Sequence, residues 1–301
     1  MGWWWHIWRR LENWQKNGKG TFTWKNGNRY EGEFKDGYRE GKGIYFWQNG
    51  DKYEGDWIKN NREGKGKNIW IDGKEYYGDW KNDKKDGKGT FTWKSGDKYE
   101  GEFKDGYREG KGTYFYPNGN KYEGDWIKDE MEGEGIYTWK NGDRYEGEWK
   151  NGLKEGKGKI FLVNGNFYEG DWKNDKIEGK GTFTWKNGDR YEGEFKNGYE
   201  EGKGIYYYIN GDKYEGEVKS GLKHGKGKFT YANGNIYEGV WIYGNKYEKE
   251  DKNKDEWKDD ERNGKDILYL NDVNIYEGNQ KDDAKEEEEK IINELNINEN
   301  K

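Results

Sequence analysis

The chain has no cysteine, and its one proline is Pro117. The first absence excludes disulfides, thiolate metal sites and cysteine nucleophiles, and fits a reducing compartment. The second leaves long extended strands uninterrupted. No run of 18 apolar residues occurs, so nothing reads as a membrane-spanning helix. Hydrophobic residues make up only 29% of the 301 positions, too few for the Leu, Ile and Val core of an ordinary domain. What is present is charge at 39%, aromatic rings at 18% and 49 glycines. A disordered chain is poor in rings. Rings, glycine and charge together point to many thin repeated units, each burying rings against backbone.

Charge is unevenly placed. Residues 246–301 hold 11 basic and 19 acidic residues, a net of −8, which leaves a net of about +2 for residues 1–245. A nearly neutral body with an acidic end argues against nucleic acid as a partner, since that wants a basic domain. The opening MGWWWHIWRRLENW has neither the basic start nor the small-residue cleavage site of a secretory signal. Gly2 is followed by His6 where myristoylation wants Ser or Thr.

An internal period dominates the rest. Tyr30, Tyr53, Tyr76, Tyr99, Tyr122, Tyr145, Tyr168, Tyr191, Tyr214 and Tyr237 recur at one fixed interval without insertion, and nine of the ten open Y-E-G. A glycine series from Gly18 to Gly225 keeps step, mostly as G-K-G. Residues 21–42 and 90–111 differ at only three positions, which reads as duplication of a three-repeat block. Each repeat divides into two strands, Y-E-G-E-F/W (Tyr30 to Phe34) and G-K-G-x-Y-x-W (Gly41 to Trp47). Alternation puts Tyr30, Gly32 and Phe34 on one face and Glu31 and Glu33 on the other. Regular glycine inside a strand marks close approach, here of a neighbouring ring. The Asn-Gly of W-K-N-G reads as the hairpin turn. The other connection, Lys35 to Glu40, reads as longer and polar. Two strands per repeat at about 4.8 Å predict a ribbon of roughly 100 Å.

The pattern Y-E-G-E-W-K-N-G-x-x-x-G-x-G-x-Y-x-W-x-N-G-D resembles the MORN (membrane occupation and recognition nexus) repeat over about residues 18–245. The resemblance implies an all-β fold: an elongated single-layer antiparallel sheet of tandem β-hairpins. Two units are degenerate, with Asn68 at the place of Tyr45 and Val218 at the place of Phe34 and Trp57.

Outside the array the reading is of four segments. Residues 1–17 form an aromatic cap or decayed half-repeat. Trp4, Ile7, Trp8, Leu11 and Trp14 also stand at helical spacing beside Arg9 and Arg10, so Trp4, Trp8, Arg9 and Arg10 are the candidate membrane contacts. Residues 246–263 read as an acidic insertion, 264–280 as a degenerate last repeat shielding the sheet edge, and 281–301 as a short acidic C-terminal helix and tail.

Catalytic chemistry finds little support. Glu31 and Glu33 sit roughly 7 Å apart on one strand face, a spacing that suits a glycosidase pair. The pair recurs in most repeats, however, and cross-strand lysines such as Lys42 neutralise it. His6 and His224 lack nucleophile partners and cannot complete a three-histidine metal site. His224 reads as part of a polar loop. Asp251, Asn253 and Asp255 begin like a calcium loop, but Glu256 replaces the turn glycine and Arg262 the bidentate Glu. No nucleotide fingerprint occurs. The expectation is no enzyme, no cofactor and no metal.

The resemblance implies a scaffold or adaptor, cytoplasmic and peripheral at a membrane or cytoskeletal structure. The expected partner is a protein helix or peptide on the aromatic face. The candidate residues are Trp24, Tyr30, Phe34, Tyr45, Trp47, Tyr53, Trp57, Trp93, Tyr99, Trp139 and Trp185. The alternative is direct binding of anionic phospholipids such as phosphoinositides by the array. Homodimerisation is a further outcome the resemblance allows.

Overall fold

The computed structural model describes residues 16–247. The readings made for residues 1–15 and 248–301 lie outside the described residues: the aromatic cap with Trp4, Trp8, Arg9 and Arg10, the body of the acidic insertion, the degenerate last repeat, the acidic helix and the calcium-like loop. The described chain is all strand and turn. It divides into two units, Met1–Lys186 and Asn187–Lys301.

The first unit begins with β1 (Gly18–Thr23), β2 (Arg29–Lys35), β3 (Tyr38–Phe46), β4 (Lys52–Ile58) and β5 (Asn61–Ile69), and continues in the same alternation to a strand at Lys176–Thr184. Each of these strands pairs antiparallel with the next in sequence. The described part of the second unit repeats the arrangement from Arg190–Lys196 to Asn245–Tyr247. Because the side-chain period of a strand is two, the pairing register carries like residues across the sheet. Tyrosines align with rings: Phe22 faces Tyr30, Tyr30 faces Tyr45, and Tyr45 faces Tyr53. Glycines align with glycines: Gly20 with Gly32, Gly32 with Gly43, Gly43 with Gly55, Gly55 with Gly66.

The glycine ladder is where the core sits. The Tyr30 ring lies over the Gly32–Gly43 pair. A Cβ on Gly32 would stand 2.5 Å from both the Tyr30 hydroxyl and the Gly43 Cα. No side chain fits there, so the ring covers bare backbone. Tyr30, Tyr53, Tyr76, Tyr99, Tyr122, Tyr145 and Tyr168 in the first unit, and Tyr191 and Tyr214 in the second, are fully buried. Most pack edge-on against the ring two residues beyond Gly, as Tyr53 does on Trp57 at 5.1 Å, and against its counterpart one repeat on, as Tyr53 does on Trp80 at 5.3 Å. Such edge-to-face pairs add about 0.5–1.5 kcal/mol each beyond the area they bury.

The turns reverse the sequence-based assignment. The short connection is Lys35 to Tyr38: those two residues pair directly, and Asp36 and Gly37 between them both have positive φ, 50° and 84°. That is the two-residue turn whose twist matches the strands. The Asn-Gly segment instead forms a three-residue loop, Lys25 to Gly27. There Gly27 N donates to Trp24 O at 3.0 Å and Trp24 N donates to Asn28 O at 2.8 Å. The strand that follows the tight turn therefore starts at Tyr38, ahead of the expected Gly41. Gly41, at φ 62°, belongs to a bulge: Gly32 faces Gly43 while Glu33 faces Glu40. The extra residues bend the strand without ending it.

Candidate partner-binding face

One face of each hairpin carries rings and the other carries charge. The charged face of the first unit forms an open groove of about 1030 Å³, floored by glycines from Gly78 to Gly147 and walled by residues such as Lys88, Glu100 and Glu123. Its charges are matched at close range. Lys98 meets Glu100 at 2.6 Å, Lys121 meets Glu123 at 2.5 Å, Arg144 meets Glu146 at 2.6 Å, and Lys111 meets Asp125 at 2.7 Å. The second carboxylate of each Y-E-G-E/D also has a structural task. Asp56 Oδ2 accepts the bulge amide of Lys65 at 2.9 Å, and Tyr53 donates its hydroxyl to the Asp56 main-chain oxygen at 3.1 Å. The recurring carboxylate pair is thus part of the hairpin's own hydrogen bonding. Lys42 pairs with Asp56 on the following strand at 2.5 Å.

Further carboxylates tie one hairpin to the next. Glu40 accepts from Lys59 N at 3.0 Å, Glu63 from Asn82 N at 2.8 Å and Glu109 from Lys128 N at 3.0 Å. At the loop end, Asp51 Oδ1 accepts from Ile71 N and Asp143 Oδ1 from Val163 N. His224 occupies the place of Glu40, but on a strand (Leu222–Thr230) and not in a loop. It is buried, with its ring 5.3 Å from that of Tyr243.

On the aromatic face the eleven candidate residues fall into two layers. Tyr30, Phe34, Tyr45, Tyr53, Trp57 and Tyr99 are buried and form the core of the hairpins. Their rings meet one another, so a partner reaches them only where the hairpins come apart. Trp24, Trp47, Trp93, Trp139 and Trp185 are half-buried. They stand at the loop-side margin of the same face, in line with Trp70 and Tyr116. These outer rings touch one another through the inner ones. Trp93 lies 5.4 Å from Tyr114, which lies 4.6 Å from Tyr116, and Tyr116 lies 5.8 Å from Tyr137, which lies 4.7 Å from Trp139.

Cations complete the face, and they were not singled out in the sequence. Arg39 lies 4.2 Å over Trp57, Arg62 4.1 Å over Trp80, Arg108 4.3 Å over Trp126 and Lys223 4.4 Å over Trp241. A cation over an indole face is attracted by the ring quadrupole. The guanidiniums are anchored one hairpin on: Arg62 to Asp83 at 3.1 Å, Arg108 to Asp129 at 3.0 Å, and Arg39 to the amide oxygen of Asn60. The same groups reach the outer row, with Arg39 5.9 Å from Trp24, Arg62 6.0 Å from Trp47 and Arg108 5.8 Å from Trp93. Their signal was a basic residue nine positions after the tyrosine in most repeats. Met131 and Ile177 leave that position uncharged, and Glu200 reverses its sign. Burial pushes the Glu200 carboxyl above the ordinary range.

Among the described residues no helix is long and apolar enough to cross a membrane. A search of curated proteins gives no match. Among solved structures, the SAS-4 TCP domain of Drosophila melanogaster, in complex with a proline-rich motif of Ana2, is similar at TM-score 0.34 and 16% identity, over 52% of this chain and 85% of that one. The wild-type TCP10 domain of Danio rerio CPAP gives TM-score 0.27 and 12% identity, over 74% and 100%. Virginiamycin B lyase from Staphylococcus aureus gives 0.14 and 12%, over 75% and 70%. Likeness at these scores carries no argument about function. The sequence match is of another kind. The MORN repeat matches ten times in succession, at residues 15–29, 30–52, 53–75, 76–98, 99–121, 122–144, 145–167, 168–190, 191–213 and 214–236. The chain belongs to the MORN repeat family.

Proposed function

We propose that this protein is a non-enzymatic scaffold that holds a protein partner, as a helix or peptide, on the outer aromatic row of its hairpins. One observation carries the reading: the hairpin core is already complete beneath a second row of half-buried tryptophans. The buried tyrosines and their edge-on partners supply the folding core. Trp24, Trp47, Trp93, Trp139 and Trp185 add ring surface at the rim. Tryptophan flanked by arginine is the composition of an interface anchor. The charged face is a weaker candidate, because its carboxylates and lysines already satisfy one another.

The test is selection of peptides from a displayed library by the full chain, repeated with a Trp47→Ala, Trp93→Ala, Trp139→Ala variant whose circular dichroism matches the parent. The expected result is enriched sequences that bind the variant at least tenfold more weakly. Enriched sequences that ignore all three substitutions would remove the aromatic row from consideration.

The second reading, contact with anionic phospholipid, has its own observation at the tight-turn edge. Tyr38, Ile58, Tyr107 and Ile127 are about half exposed there, next in sequence or across the turn to Lys35, Lys59, Lys104 and Lys128. Apolar tips among lysines suit a membrane surface. Vesicles containing phosphoinositide should then sediment the parent chain at physiological salt and release an Ile58→Glu, Ile127→Glu variant. Equal sedimentation of both would remove this edge. The scaffold would act at a membrane or cytoskeletal structure in either case.

A further inference from the structure

Resting on the aromatic row as the docking face, we infer that its occupant is an acidic, proline-rich segment in the polyproline II conformation, lying across the strands with one residue in three on a ring. The argument is one of period. Neighbouring outer rings belong to neighbouring hairpins, two strands apart, which sets their backbone spacing at about 9.6 Å. The shared inner rings cap the separation of the outer ones just above this. Trp70 and Trp93 share Phe91 at 5.5 and 4.4 Å, so their centroids lie no farther apart than those two steps laid end to end. Trp24 and Trp47 share Tyr45 at 5.4 and 4.6 Å and are bounded in the same way. Trp93 and Tyr116 share Tyr114, again at 5.4 and 4.6 Å.

A polyproline II helix presents the same side every three residues, about 9.3 Å along its axis. It can therefore place a pyrrolidine on ring after ring without leaving register. An extended strand of three residues covers a similar length, but its two-fold alternation turns every second contact away. An α-helix returns to the same side after seven residues, about 10.5 Å. That is more than the upper bound on the Trp24–Trp47, Trp70–Trp93 and Trp93–Tyr116 steps; only the Tyr116–Trp139 step, through Tyr137 at 5.8 and 4.7 Å, has a bound as long. Polyproline II is also the conformation that aromatic-lined grooves commonly read, because little entropy is lost on docking.

Charge complementarity adds the acid. Arg39, Arg62, Arg108 and Lys154 each bring a cation within 6.0 Å of one of the outer rings Trp24, Trp47, Trp93 and Trp139. Arg62, Arg108 and Lys154 are each paired one hairpin on, with Asp83, Asp129 and Asp175, whereas Arg39 is held by the neutral Asn60 and keeps its charge uncompensated there. A carboxylate beside the proline docked at Trp24 meets Arg39. A lysine there is repelled by it.

The experiment titrates the full chain with five synthetic peptides and follows tryptophan fluorescence and calorimetric heat. The peptides are five copies of Pro-Pro-Glu, five of Pro-Pro-Lys, an irregular order of the same prolines and glutamates, a helical peptide with Leu and Glu at seven-residue spacing, and a polar control. The Pro-Pro-Glu peptide should bind at least tenfold more tightly than the lysine, irregular and helical peptides. Trp93→Ala with Trp139→Ala should weaken it at least tenfold while circular dichroism stays unchanged. Tighter binding of the helical peptide with the same tryptophan dependence would keep the docking face and overturn the polyproline occupant. Binding of any peptide that ignores the tryptophans would overturn both. If the chain instead sediments as a dimer that the two substitutions dissolve, the occupant is a second copy and the inference fails. Silence from every peptide also overturns it.

Discussion

Tyr53 lies across Gly66, with its hydroxyl and ring carbons where that glycine would carry a Cβ, at 2.2 to 2.5 Å. The same hydroxyl donates to the Asp56 carbonyl, where the register shifts at the bulge. One ring thus covers bare backbone and satisfies the irregularity beside it. Gly66→Ala forces a methyl into the ring and should cost several kcal/mol, on the order of a severe overpacking error. Tyr53→Phe keeps the ring and loses the hydrogen bond, costing about 1 kcal/mol. Chemical denaturation of both variants checks the order; a Gly66→Ala midpoint no lower than that of Tyr53→Phe would refute the packing account.

Asn68 interrupts the ring column between Tyr53 and Tyr76. It is buried, Arg62 donates to its side-chain oxygen at 3.2 Å, and its amide nitrogen has no partner. Asn68→Tyr restores the ring and removes a buried orphan donor, which costs roughly 1–3 kcal/mol where it stands. Thermal melting should move upward by several degrees. A lower midpoint would mean the site has closed around the smaller side chain.

Burial raises the hydroxyl pKa of Tyr30 to about 12, and raises those of Tyr53, Tyr76, Tyr99, Tyr122, Tyr145, Tyr168, Tyr191 and Tyr214 as well. The folded state holds these protons more tightly than the unfolded chain, whose tyrosines titrate at about pH 10. The stability they contribute is complete below that value and is lost as pH climbs from there through about 12 for Tyr30. Tyrosinate absorbance and the loss of strand circular dichroism should rise together in that window. Smooth titration of all 26 tyrosines at the ordinary value, with the fold intact, would contradict the burial.

Lys128 sits in a tight turn at φ 48° with its amide donating to Glu109. A left-handed backbone costs a residue with a Cβ about 1 kcal/mol. Lys128→Gly keeps the amide and relieves that cost, so stability should rise by a few tenths to 1 kcal/mol in urea titration. Glu109→Ala should act in the opposite direction, by about 1 kcal/mol.

The period, the two faces and the laying of ring on glycine were all legible, because each repeats ten times and each follows from the alternation of a strand. The turns were not. Gly41 carries the signal of a chain reversal, yet its positive φ serves a bulge within β3. The true reversal is spelled Asp-Gly or Asn-Gly at 36–37, 105–106, 151–152 and 197–198 but Lys59–Asn60 and Asn82–Asp83 in other repeats, and the Asn-Gly of the other connection, present in more repeats, drew the assignment away from it. The division of the rings into a buried layer and a half-buried one was equally hidden. Tyr45 and Trp47 share a strand face and differ only in how far each stands from the glycine ladder. Glu40 and Arg39 read as part of a longer polar connection because their partners lie 19 to 21 residues away, in the following hairpin.

Those cross-hairpin contacts set a rule for how such a chain changes length. Glu40 finds the amide of Lys59, and Asp51 finds that of Ile71, only while the separation stays one whole unit. Removing one entire repeat joins a donor to an equivalent acceptor and leaves a shorter protein of the same kind. Removing a few residues breaks the spacing of every contact that spans the cut. A change of length by whole repeats is therefore the least disruptive kind, and the near-identical blocks at 21–42 and 90–111 stand a whole number of repeats apart.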